Sequence, residues 1–216
     1  MTRPDARPSR PARPRAALGL TLVELMLALT ITALIAAAIA GMMGAVGSGV
    51  DTHRDARTTM VSANLASTRL NAYLAPANCV LDADGRNIVI WLHDQRESET
   101  VHGTEIRWLV FDAAHGEIVV HWVRFPEGWS QVAQDIEDLE HAASSDWNAV
   151  LSYYETRGWT ASMPLIDGLD DVAVALDAVS PKDAVHCTFT LTFDSHRGPF
   201  DVTAAATIRL HSAPDA

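Results

Sequence analysis

A chain of 216 residues, 48% hydrophobic and 20% charged, is long enough for one modest domain plus an extension and apolar enough to bury a core. Its net charge is −11, and residues 1–18 hold five of the 16 basic residues and one of the 27 acidic ones, which leaves the rest at −15. A body that acidic is repelled by nucleic acid and by anionic lipid surfaces, so nucleic-acid binding is set aside.

Residues 1–18 carry Arg3, Arg7, Arg10, Arg13 and Arg15 among prolines and few apolar side chains, and read as a disordered, cytoplasmic leader. Residues 25–47 are almost wholly apolar apart from Thr30 and Thr32, longer than the roughly 20 residues that span a bilayer as a helix. The leader arginines place the N-terminus inside and the remainder outside. Four glycines in "GMMGAVGSGV", Gly41 to Val50, soften that helix, and Ala36, Ala40, Gly44 and Ser48 form a small-residue face at i, i+4 spacing. The helical pattern resumes at Asp51 or Thr52 as a cap, continues through Met60, Leu65, Leu70 and Leu74, and stops at Pro76. One helix of about 55 residues with a soft middle is expected.

Beyond Pro76 the pattern turns to strands. "NIVIWLH" (Asn87–His93) is one; "EIRWLVF" (Glu105–Phe111) and "EIVVHWVRF" (Glu117–Phe125) flank a short turn with Gly116 and read as a hairpin. Residues 131–157 read as helical, with Ser145 or Asp146 capping "WNAVLSYYETR" and Gly158 closing it. Asp167–Val179, Ala184–Asp194 and Phe200–His211 alternate as strands. The fold class is α+β: a long N-terminal helix whose second half covers a mainly antiparallel sheet. Trp122, Trp129, Trp147, Tyr153, Tyr154 and Trp159 crowd the middle of the chain, as core or as a docking surface.

Catalytic chemistry is not legible. Nine histidines show no HExxH or other short ligand spacing, and nucleophile elbow, P-loop and dinucleotide-binding glycine patterns are absent from the sequence. "DADG" and "DGLDD" lack the twelve-residue calcium loop with its closing Glu. Neither a cofactor nor a metal is expected. Cys79 and Cys187 have no zinc spacing, and stand either as a disulfide outside the cytoplasm or as two buried thiols.

One residue is out of place. Between Ala16 and Val50 the only charged side chain is Glu24, and a carboxylate in such a run costs about 2.5–3.5 kcal/mol at a helix centre. "GLTLVE", Gly19 to Glu24, resembles the processing site of type IV prepilins and pseudopilins. The resemblance implies cleavage after Gly19 by a membrane prepilin peptidase, which also N-methylates the new amine of Leu20, where most members carry Phe. It implies that Glu24, fifth in the mature chain, neutralises the buried amine of a neighbouring subunit and sets the stagger between subunits. The implied partners are sibling pilins or pseudopilins, the inner-membrane assembly platform and membrane lipid. The order of later features, including "PLIDGLDDVAVAL" (Pro164–Leu176), is similar to a J-type minor pseudopilin of type II secretion and also fits a minor pilin of a type IV pilus; the helical stretch 131–157 departs from the compact pattern.

The boundaries that follow are a cleaved leader at 1–19, a transmembrane half-helix at 20–50, an amphipathic half-helix at 51–75 and a globular domain at 76–216. The expected place is the inner membrane, with the globular domain on its extracytoplasmic side. Two other readings remain open. "AIA" at Ala38–Ala40 fits a signal-peptidase site that would release a secreted domain beginning at Gly41. A plain single-pass anchor for a binding domain or enzyme is the other.

Overall fold

The computed structural model describes residues 21–93, 96, 98, 100–193 and 198–214, with residues 45–60 described by their backbone alone. The chain divides into two compact units, Met1–His53 and Arg54–Ala216. Helix α1, Leu22–Leu74, belongs to both, and its helical hydrogen bonding is continuous through the glycine-rich stretch.

The second unit is an α+β domain of mostly antiparallel strands. After α1 come β1 (Cys79–Ala83), β2 (Ile88–Trp91), β3 (Val101–His102), β4 (Ile106–Asp112) and β5 (Glu117–Val123). Helix α2 (Gln131–Glu137), β6 (Glu140–His141) and α3 (Trp147–Thr156) follow, then β7 (Thr160–Ile166), β8 (Leu169–Leu176), β9 (His186–Phe193) and β10 (Phe200–Thr207). Five strands form one antiparallel sheet in the order β1-β2-β4-β5-β7, three form a second in the order β10-β9-β8, and β3 pairs with β6.

Side-chain alternation gives the five-stranded sheet two buried faces. Val80, Ile88, Ile90, Leu109, Ile118 and Val120 face one core, shared with Val172, Phe189 and Leu191 of the second sheet and with Ala66, Leu70 and Leu74 of α1. Cys79, Leu81, Val89, Trp91, Ile106 and Trp108 point the other way, into a second core closed by Trp147, Val150, Leu151 and Tyr154 of α3. The i, i+4, i+8 spacing of Ala66, Leu70 and Leu74 is one stripe of a helix, which is why α1 lays that face on the sheets. Arg69 Nη1 donates to Leu165 O (2.6 Å) and Asn71 Nδ2 to Ala205 O (3.3 Å), tying α1 to β7 and to β10.

The stretch 131–157, read from sequence as helical throughout, is two short helices with β6 between them. Ser130 Oγ accepts from Ala133 N to cap α2, and Asp146 Oδ1 accepts from Asn148 N and Ala149 N to cap α3. Gly158, at φ +70°, closes α3. The interruption is held from outside: Glu140 and His141 pair with His102 and Val101, and the Asp138 carboxylate accepts from Thr104 N (2.9 Å) and Thr104 Oγ1 (2.7 Å). Of the crowded aromatics, Trp147 and Tyr154 are fully enclosed. Trp129, Tyr153 and Trp159 are partly buried, with Trp129 and Trp159 edge to face at 5.0 Å and the Arg157 guanidinium 3.6 Å from the Tyr153 ring centre.

Candidate functional site

Gly19, Leu20 and the arginine leader lie outside the described residues. The site begins at Thr21. Thr21 N and Thr21 Oγ1 each donate to Glu24 Oε2 at 2.9 Å, and Glu24 N donates back to Thr21 Oγ1 at 3.3 Å. This reciprocal pattern is a capping box, which satisfies backbone groups at the start of α1 that have no intrahelical partner. Its T-x-x-E spacing is a local signal in the sequence, overshadowed there by the cost of a carboxylate in an apolar run. Thr21 supplies hydrogen bonds to Glu24 but no positive charge.

From Leu22 to Gly44 the helix is long and apolar enough to cross a membrane, 23 residues or roughly 35 Å at 1.5 Å per residue, against a hydrocarbon core of about 30 Å. Large apolar side chains stand exposed all around it, among them Leu22, Met26, Leu34 and Met42. Its two threonines are compatible with lipid, since Thr30 Oγ1 donates to Leu27 O (2.8 Å) and Thr32 Oγ1 to Ala28 O (2.7 Å). Gly41 and Gly44 have open space among the described residues where a Cβ would sit. Glu24 is thus the single carboxylate at the head of an otherwise uncharged apolar helix.

Residues 14–40 match the family model described as the prokaryotic N-terminal methylation motif. The methylation motif takes in Arg15, Gly19, Leu20, Glu24 and most of the apolar segment, and supports a type IV prepilin-like family. It implies processing by prepilin peptidase and assembly with other pilins, and it points to a structural subunit rather than an enzyme. Among the described residues one apolar helix, Leu22–Gly44, overlaps the methylation motif and fits the single-pass membrane anchor of a type IV pilin. No curated protein and no solved structure matches the chain.

Elsewhere the polar side chains mostly serve the fold. Glu105 and Asp138 are buried carboxylates. Glu105 Oε2 accepts from Trp91 Nε1 (3.0 Å) and His102 N (3.1 Å), and Asp138 Oδ2 accepts from Arg96 Nη2 (3.0 Å) as well as from Thr104. Carboxylates bonded in this way stay in place and hold the loop before β3 against α2. At the β4–β5 turn Asp112, His115 and Glu117 come together; the ring of His115 holds the Asp112 carboxyl below its ordinary value by a hydrogen bond. The sequence does not single out that trio, because its D-x-x-H-x-E spacing fits no helical or loop metal motif.

Cys79 and Cys187 are both buried and free. Cys79 lies in the core under α3 and Cys187 in the core under α1. Burial pushes both thiols up to about 12. Only roughly one thiolate in 10⁴ then exists at pH 8, and alkylation of the native protein is expected to be slow. Thiol counting without reductant should find two reactive groups after denaturation and essentially none before; two groups blocked in both states would mean a bridge.

Proposed function

We propose that this chain is a minor pilin-like structural subunit, assembled from the inner membrane into a type II secretion pseudopilus or a type IV pilus. The observation that carries the reading is Glu24, placed fifth after Gly19 within the methylation motif and alone on an apolar helix. Prepilin peptidase cuts after Gly19 and N-methylates Leu20. The apolar half of α1 stays in the inner membrane with the acidic domain on the extracytoplasmic side, and the assembly platform then draws the subunit into contact with its siblings.

A J-type minor pseudopilin is the finer assignment we favour. Supporting it are the long helix leading into paired strands, the β4–β5 hairpin, and the "PLIDGLDD" segment, in which Gly168 at φ +74° turns β7 of one sheet into β8 of the other.

In the filament a terminal amine of one subunit and Glu24 of the next leave water together. Either charge alone in that setting is expensive, so the pair selects one stagger between subunits. Glu24→Ala is expected to leave membrane insertion intact or improved, since a costly carboxylate is gone. Subunit contacts should weaken, because the partner amine is left buried without a counter-charge. Site-specific crosslinking to sibling subunits in membranes measures this, and yields unchanged in the variant would contradict the register role.

A further inference from the structure

We propose that the β4–β5 turn binds a divalent transition-metal ion of the zinc class through Asp112, His115 and Glu117. One ligand atom from each residue lies within 4.8 Å of the others. Asp112 and Glu117 are the closing pair of the hairpin, and His115 stands in the turn between them.

The turn is rigid for reasons unrelated to these side chains. Gly116 N donates to Asp112 O (2.8 Å), and Leu169 N donates to Gly116 O (2.8 Å), which pins the hairpin to the start of β8. Gly116 has φ +64°, and a Cβ there would meet Leu169 O, so only glycine fits that close approach. Asp112 Oδ1 accepts from Ala114 N (2.9 Å), which fixes that carboxylate and leaves Oδ2 toward His115. Among the described residues, no Lys or Arg forms an ion pair with Asp112 or Glu117. Two carboxylates therefore converge on one imidazole without a fixed cation, on a chain that already carries −11.

The donor set chooses the ion. An imidazole among the ligands disfavours calcium and magnesium, which take oxygen, and suits zinc and its neighbours. Ligand atoms about 2.0–2.2 Å from a tetrahedral ion stand roughly 3.3 Å apart. The His115 Nδ1 to Asp112 Oδ2 distance is 2.6 Å, which suits a shared proton, so the ion requires the exposed His115 ring to move outward by under ~1 Å and the Glu117 carboxylate, within 4.8 Å of the other two, to adjust to the same spacing. Three protein ligands leave the fourth position to water. The site lies at the surface, away from both cores, so metal adds no requirement for folding.

The test uses the full-length protein in detergent, stripped of metal and titrated with Zn²⁺ by calorimetry. His115→Ala and Glu117→Gln are titrated alongside, with His121→Ala, a half-buried histidine four residues beyond Glu117 on β5, as control. One Zn²⁺ per chain is expected for the wild type and for His121→Ala, and affinity at least roughly tenfold weaker for the two turn variants. Unchanged metal-free melting of all three variants would show that the loss is not misfolding. Equal Zn²⁺ affinity in the wild type and His115→Ala, or no binding at millimolar Zn²⁺, overturns the proposal. Neither result bears on the filament role, which Glu24 crosslinking reads separately.

Discussion

Gly19→Ala is expected to abolish processing and leave the full precursor in the membrane. On the proposed reading the bond to be cut follows Gly19, just ahead of the apolar run, and a peptidase must approach the backbone closely there. Glycine alone presents no Cβ at that approach and adopts whatever backbone conformation the enzyme imposes. Intact-mass analysis decides the outcome. The wild type should begin at N-methylated Leu20, and the variant should keep residues 1–19. A mature chain beginning at Gly41 would instead support signal-peptidase release. Against that alternative, α1 is helical through Ala38–Ala40, so a cut there requires unwinding the middle of the apolar helix.

Trp108→Ala is expected to bring the globular domain close to unfolding. Trp108 on β4 is fully buried in the core between the five-stranded sheet and α3, and its Nε1 donates to Trp147 O at 2.9 Å. Truncating such a side chain costs about 3–5 kcal/mol in cavity and lost transfer energy. Loss of the Trp108 Nε1 hydrogen bond adds roughly another 1 kcal/mol. Domains of this size hold about 5–15 kcal/mol in all. In a fragment of residues 51–216, followed by circular dichroism in urea, the midpoint should fall by roughly 2 M at a slope near 2 kcal/mol/M. Trp108→Phe should keep most of the packing and lose mainly the hydrogen bond. An unchanged midpoint for Trp108→Ala would mean that this core does not hold α3 to the sheet.

By itself the sequence determined what depends on neighbours a few residues away. The apolar run, the arginine leader and the isolated Glu24 are contiguous signals, and the methylation motif covers the same stretch. The β4–β5 hairpin, the strands from Leu169 onward and the Asp146 cap were also legible, because period-2 alternation, a turn glycine and a capping carboxylate act locally. Tertiary structure alone decided the rest. β1 lies in "CVLDADG", whose Asp and Gly read as turn, and it is a strand because Cys79–Ala83 pairs with β2 and buries both its faces. β7 contains Pro164, which argues against a strand until the sheet order puts it at an edge, where a missing N–H costs no ladder bond. The break between α2 and α3 is set by Thr104 and His102, more than thirty residues upstream, and the Asp112–His115–Glu117 cluster exists only because the hairpin closes in one register. Pairings of this kind are stabilised by burial between segments distant in the chain, and no local pattern encodes which partner will be there.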